Sequence, residues 1–194
     1  VPHVLSAHSL EPLRPWKEEQ LGGGYRVSSW VERTAYEGAA AIIAVSHGMR
    51  ADVLSAYPMV DPDRVHVVHN GIDTNVYRPN TGTEVLEEFG LDQSRPYVLF
   101  VGTVEPRKNL KRLIAALAHL PAAPLLVVAG AAGWGDAGGD EHPGVRFLGF
   151  VPGDDLAPLY AAAKVFCYPS TQEGYGLPVL EAMAQGTPVV TSQG

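Results

Sequence analysis

The sequence predicts an α/β protein with two parallel sheets, and three observations carry that expectation. Short apolar runs recur through the 194 residues, helix-period segments separate them, and a stretch rich in turn residues divides the series. A run that is apolar throughout suits a strand buried on both faces. Strands that alternate with helices imply right-handed crossovers in an open sheet.

From residue 97 onward the alternation is regular. Tyr97-Val98-Leu99-Phe100-Val101-Gly102 reads as a buried strand closing at a glycine. The segment 109–120 then sets Leu110, Leu113, Ile114 and Leu117 at helical spacing, with Asn109 placed to cap it. Residues 125–129, 145–150, 165–168 and 188–191 repeat the strand signal; 154–163 and 177–184 repeat the helix signal. The earlier part is less complete: 2–7, 42–45 and 65–68 read as strands, 28–40 and 47–57 as helices. Asn70-Gly71, Pro79-Asn80 and Thr81-Gly82-Thr83 are turn and linker signals, so one domain is expected over 1–77 and another over 78–194. The chain opens in an apolar run at Val1 and stops just after another. The N-terminal domain is therefore expected to be only partly present, and the C-terminal one truncated. The Gly- and Asp-rich stretch 131–143 reads as a loop at the carboxyl end of a strand, the edge where such sheets take ligands.

Composition narrows the function classes. A hydrophobic share of 46% and a charged share of 18% suit a folded globular protein rather than a disordered one. The net charge of -7, without a Lys/Arg stripe, argues against a non-specific nucleic-acid binder, although a small anion needs only a few local cations. Cys167 is the single cysteine, so no internal disulfide is available; within Val165-Phe166-Cys167-Tyr168 it reads as a buried strand thiol. No run approaches the ~18 apolar residues of a membrane span, and no signal peptide opens the chain. The expected compartment is the cytoplasm, which leaves room for a peripheral membrane contact of the full-length protein.

The strongest constellation is Glu173-Gly174-Tyr175-Gly176-Leu177-Pro178-Val179-Leu180-Glu181. A strand ends near Ser170, a glycine-bearing loop follows, and Pro178 fits the first turn of a helix that Gly186 can end. Free N–H groups at a helix start, with the helix dipole, favour a phosphate or a sugar oxygen. Glu173 precedes the helix and Glu181 lies about one turn inside it, so two carboxylates can reach one ligand at separate points. Each can accept two hydrogen bonds from a diol. The same pattern would also serve a capped surface helix with two solvated glutamates.

A second strand–loop–helix join is Gly102-Thr103-Val104-Glu105-Pro106-Arg107-Lys108-Asn109. It sets Arg107 and Lys108 where a diphosphate would meet a helix start, although such a pair is also common on plain solvated loops. Two such joins in one sheet, one cationic and one with paired carboxylates, strengthen each other.

These residues resemble family 4 of the retaining glycosyltransferases, whose fold is GT-B: two Rossmann-like domains with parallel sheets. Glu173 to Glu181 matches that family's E-x7-E signature, and Glu105-Pro106-Arg107-Lys108-Asn109 looks like its phosphate-binding loop. Val145-Arg146-Phe147-Leu148-Gly149-Phe150 and Ala182-Met183-Ala184-Gln185-Gly186-Thr187-Pro188-Val189-Val190 extend the match. The resemblance implies that Glu173 contacts the donor sugar, Glu181 the ribose, and Arg107 with Lys108 the diphosphate. It implies a donor site formed by Gly102, Thr103, Arg107, Lys108, Glu173, Gly174, Tyr175, Gly176, Leu177 and Glu181. Many members carry arginine directly after the first glycine of the loop; here that position is Thr103, which leaves Arg107 as the second cation.

Residues 7–17 and 20–25, with Ala7-His8-Ser9-Leu10-Glu11-Pro12-Leu13-Arg14-Pro15-Trp16-Lys17, look like actinobacterial glycogen synthases and maltose-1-phosphate synthases, which use ADP-glucose. In that resemblance His8 lies near the donor sugar. Residues 97–120 look more like mannosyl- or rhamnosyltransferases of the same family. The implied reaction moves a hexosyl group from ADP-glucose, UDP-glucose or GDP-mannose to a glycan or other acceptor, with Glu173, Lys108, Arg107 and His8 serving catalysis. No cofactor, metal or nucleic acid is implied. Two alternatives remain: a nucleotide-sugar-binding module without transfer, and a GT-B sugar-nucleotide epimerase.

Weaker signals are discounted. Asp61-Pro62-Asp63 fits a D-x-D metal pattern but sits in a proline turn before a strand. His66 and His69 lie three apart on a predicted strand, hence on opposite faces. Gly22-Gly23-Gly24 follows no strand and reads as a flexible acceptor-side loop; Trp16 and Tyr25 could stack on a sugar or pack under that loop.

Overall fold

The strand and helix signals resolve, in a computed structural model, into two parallel sheets, each with its own core. The structure describes residues 2–14, 16–79, 82, 84–133 and 142–192. Most of the expected loop 131–143 thus lies outside the described residues, as do Pro15, Asn80, Thr81 and Thr83 of the quoted motifs. The contacts divide the chain into a unit of Val1–Gly71 with Glu173–Tyr175, and a unit of Ile72–Gln172 with Gly176–Gly194. Among the described residues no helix is long and apolar enough to cross a membrane.

In the first unit, β1 (Val4–Ala7), α1 (Trp16–Leu21), α2 (Tyr25–Gly38), β2 (Ala41–Ala44), α3 (His47–Ala56) and β3 (Val65–Val67) follow in order. The strands pair in parallel as β1-β2-β3, with Val4 beside Ala41 and Ile42 beside Val65. Leu10, Tyr36, Ile42, Val45, Met49, Val53 and Tyr57 are buried together in its core. Ser46 caps α3, its hydroxyl accepting from the Met49 N–H at 2.9 Å.

One local expectation changes here. Gly22–Gly24 forms a 3₁₀ turn that runs straight into α2, so the helix begins at Tyr25 and not at residue 28. Glycine weakens a helical run, but no proline or strand separates α1 from α2, and the backbone carries the turn through. Asp61-Pro62-Asp63, by contrast, forms the proline turn expected before β3, the Asp61 carboxylate accepting from the Asp63 N–H at 2.9 Å.

The second unit holds α4 (Val85–Glu88), β4 (Tyr97–Val101), α5 (Leu110–Ala118), β5 (Leu125–Ala129), β6 (Val145–Gly149), α6 (Gly153–Ala162), β7 (Val165–Tyr168), α7 (Leu177–Ala184) and β8 (Val189–Thr191). All strands are parallel, in the order β6-β5-β4-β7-β8. Successive side chains of β4 point to opposite faces. Leu99 and Val101 join Leu159 and Tyr160 of α6 and Ala182 of α7. Val98 and Phe100 join Leu110 and Leu113 of α5, on the face that also buries Cys167. Every β4 residue is buried because helices cover both faces. Residues 72–77 count with this unit, since Tyr77 packs edge-on against Tyr160, ring centres 6.1 Å apart.

Candidate functional site

The strand order reverses at β4: the chain winds outward through β5 and β6 on one side, then returns to lay β7 and β8 on the other. In an open parallel sheet this reversal leaves a crevice at the carboxyl ends of the two central strands. Gly102 follows β4 and the segment from Pro169 follows β7, so the two joins singled out in the sequence open onto that crevice.

The loop after β4 is held closely. Gly102 has φ 145 and Gly130 φ 155, and a side chain on Gly130 would overlap the Gly102 carbonyl. Pro106–Lys108 makes a 3₁₀ turn, and Asn109 closes it at φ 60, the one non-glycine with positive φ among the described residues. Asparagine tolerates that region better than other side chains. Asn109 stands at the N-cap of α5, the position expected from sequence, but its side chain makes no capping bond. Its Nδ2 instead donates to the Pro169 carbonyl at 3.1 Å, which fixes the loop to the segment after β7.

Further bonds complete that seam. The Thr171 N–H and hydroxyl both donate to the Arg107 carbonyl, at 2.8 Å and 3.1 Å. The Arg107 guanidinium pairs with Glu105 at 2.9 Å and donates to the Gln172 carbonyl at 3.3 Å. Lys108 is 6% exposed; its Nζ donates to the Tyr168 hydroxyl oxygen and stands 4.6 Å from the centre of that ring. Thr103 is exposed beside Gly102.

Glu181 lies one turn into α7, which follows the N-cap Gly176 (φ 86) and has proline in its first turn. Its Oε2 accepts from the Tyr160 hydroxyl at 2.9 Å, and the Tyr77 phenol faces the same carboxylate. Burial raises the Glu181 carboxyl above its ordinary value, and the two tyrosines partly offset that rise. The Tyr77 phenol is pushed up to about 12 by burial and by the Glu181 charge. Lys108 and Glu181 are linked along one face of the sheet. Tyr160 meets Phe166 edge-on at 5.2 Å, Phe166 stacks on Tyr168 at 5.6 Å, and Tyr168 holds Lys108.

Glu173, Gly174 and Tyr175 make their contacts in the first unit. The Ser46 hydroxyl donates to the Gly174 carbonyl at 3.0 Å, and Gly174 lies so close to the His8 carbonyl that a side chain there would overlap it. Tyr175 stacks on His69, ring centres 5.7 Å apart. Glu173 is exposed, as is His8 directly past β1. His69 therefore serves ring stacking and a 3.1 Å contact to the Val45 carbonyl, and no group of three metal-ligating side chains occurs among the described residues. Sequence reasoning missed Tyr77, Tyr160, Tyr168 and Thr171. The one signal available was that a buried tyrosine usually finds a partner for its hydroxyl.

Comparison with known proteins decides the family. Residues 83–194 match the family model described as glycosyl transferases group 1, and residues 1–76 match that of glycosyltransferase family 4. The chain belongs to the group 1, family 4 glycosyltransferases. A curated relative of this glycosyltransferase is the alpha-maltose-1-phosphate synthase of Mycolicibacterium smegmatis. It is 50% identical over 99% of this chain and 54% of its own length. O-antigen chain mannosyltransferase B of Escherichia coli is 36% identical over 84% of this chain and 46% of its own. The chain thus spans about half the length of the curated relatives it matches.

Among solved structures, sucrose-phosphate synthase from Thermosynechococcus elongatus superposes with a TM-score of 0.73 at 25% identity, covering 97% of this chain and 49% of that one. HepE of Anabaena, solved with UDP-glucose, gives 0.76 at 25%, covering 98% and 53%. These neighbours are GT-B glycosyltransferases, and the α/β fold with parallel sheets agrees with the sequence expectation. The smegmatis relative runs through both parts of the glycosyltransferase.

Proposed function

We propose that this glycosyltransferase binds a nucleotide-diphosphate sugar at the β4/β7 crevice, and that the whole enzyme transfers its hexosyl group to a glycan or other acceptor with retention. The observation that carries the reading is the bonded seam between the Arg107–Lys108 loop and residues 169–172, which fixes two cations at the strand reversal. In this reading Arg107, Lys108 and the N–H groups near Gly176 and Leu177 meet the diphosphate, where negative charge grows as the glycosidic bond breaks. Donors fixed before reaction stabilise that charge without reorganising.

In this reading Glu181 accepts from the ribose diol, and Gly102 and Thr103 line the same ligand. For Glu173 on the hexose hydroxyls, and for His8, Gly174 and Tyr175, the donor role is what the family resemblance implies. No protein nucleophile is assigned; the acceptor attacks from the face the diphosphate leaves, with the leaving phosphate assisting. The reading requires no metal or other cofactor. A nucleotide-sugar donor is supported by the UDP-glucose complex of HepE, and the base and sugar are chosen among ADP-glucose, UDP-glucose and GDP-mannose.

Calorimetry with those three donors and their free nucleoside diphosphates tests the reading. One donor and its diphosphate should bind. Failure of all of them would overturn it. Donor binding with no product in the presence of a glycan acceptor would favour a binding module without transfer.

A further inference from the structure

We propose that Tyr168 is a positioning residue for the diphosphate-binding cation: it holds the Lys108 ammonium across the strand reversal between β4 and β7. The inference rests on the reading of Lys108 as a diphosphate ligand.

Tyr168 is well placed to hold something else in place. It ends β7, is 2% exposed, stacks on Phe166, and its carbonyl accepts from the Thr191 hydroxyl at 3.1 Å. Ring and backbone are thus both fixed. Lys108 comes to it from the loop after β4, sixty residues away in sequence. Its stem passes Gly102, where an added Cβ would stand 3.5 Å from Lys108 Cε, so the lysine runs closely over the strand end. The hydroxyl oxygen accepts from Nζ, which stands beyond it at 4.6 Å from the ring centre, so a bond to a buried and fixed phenol holds the ammonium. A lysine stem has four rotatable bonds, and a free one loses that freedom when it grips a phosphate. One already ordered by Tyr168 has lost it beforehand, so phosphate binding is correspondingly tighter.

The test is a double-mutant cycle read by calorimetry with the nucleoside diphosphate that the wild type binds. Tyr168→Phe keeps the ring and its stacking and removes one oxygen, with circular dichroism and Tm checking the fold. It should weaken the diphosphate about threefold to tenfold. In a Lys108→Ala background the same change should have no further effect, because the tyrosine acts only through the lysine. Undiminished affinity in Tyr168→Phe, or an equal loss with and without Lys108, overturns the inference. If Lys108→Ala itself binds as tightly as wild type, the reading of Lys108 fails and takes this inference with it. If Lys108→Ala weakens binding and Tyr168→Phe does not, only this inference falls.

Discussion

The Tyr160 hydroxyl donates to Glu181 at 2.9 Å, which ties a carboxylate of α7 to the helix packed beside it. Burial raises the Glu181 carboxyl, so the folded protein holds more protons than the unfolded chain between the ordinary value and the raised one. The stability this group contributes is therefore full at low pH and is lost as pH rises through the folded-state value. Glu181→Gln removes the titration. Urea unfolding from about pH 4 to about pH 8 should show wild type losing stability relative to Glu181→Gln as pH rises. A difference that stays constant across that range would mean that Glu181 ionises as it would in water.

Asn109 combines a left-handed backbone with a side-chain bond to Pro169. Asn109→Gly keeps the backbone at ease and removes only the bond, at a cost of about 1 kcal/mol. Asn109→Ala also strains the left-handed residue, adding roughly 1–2 kcal/mol. Chemical denaturation of the two variants should rank alanine below glycine. Equal stabilities would show that the strained turn has relaxed.

Much of this fold was legible because the elements are buried on both faces. Residues 125–129, 165–168 and 177–184 form the expected strands and helix without a shift of boundary, since apolar side chains fill every position or the helical stripe. Trp16–Leu21 was not legible as a helix: Lys17, Glu18, Glu19 and Gln20 give it no apolar period. In the site, Arg107, Lys108, Glu173 and Glu181 stood out by charge and by position at strand ends. Their partners did not, because Tyr168 reads as one more residue of a buried strand and Tyr160 as one more of a buried helix. Only the pairing of β4 with β7 and the packing of α6 on α7 bring those hydroxyls to the charges they meet.

Gly130 offers a test of how tightly the β4 and β5 ends approach. Its φ of 155 disfavours any side chain, and an added Cβ would run into the Gly102 carbonyl, which is backbone and cannot swing aside. Gly130→Ala should cost about 3 kcal/mol or more. Gly144→Ala is the control, because its Cβ would meet nothing closer than a His142 ring atom at 3.8 Å. That variant should stay within about 0.5 kcal/mol of wild type in the same denaturation experiment. Similar losses in both would place the strain elsewhere.

Phosphate binding and sugar binding separate at Lys108 and Glu173. The proposed partner of Lys108 is present in both the free nucleoside diphosphate and the nucleotide-sugar, so Lys108→Ala should weaken the two alike. A charge-assisted hydrogen bond contributes roughly 1.5–3 kcal/mol, which corresponds to a loss of about tenfold to a hundredfold at ~1.4 kcal/mol per decade. The proposed partner of Glu173 is the hexose, so Glu173→Ala should spare the diphosphate and weaken only the nucleotide-sugar. Circular dichroism on Glu173→Ala keeps the fold out of the comparison. In the whole enzyme the same change should lower turnover more than donor affinity if the contact tightens in the transition state. Equal losses for both ligands in Glu173→Ala would mean that the glutamate holds its loop and not the sugar. In that case the Ser46 bond to Gly174, which anchors the loop from the next residue, becomes the contact to remove next.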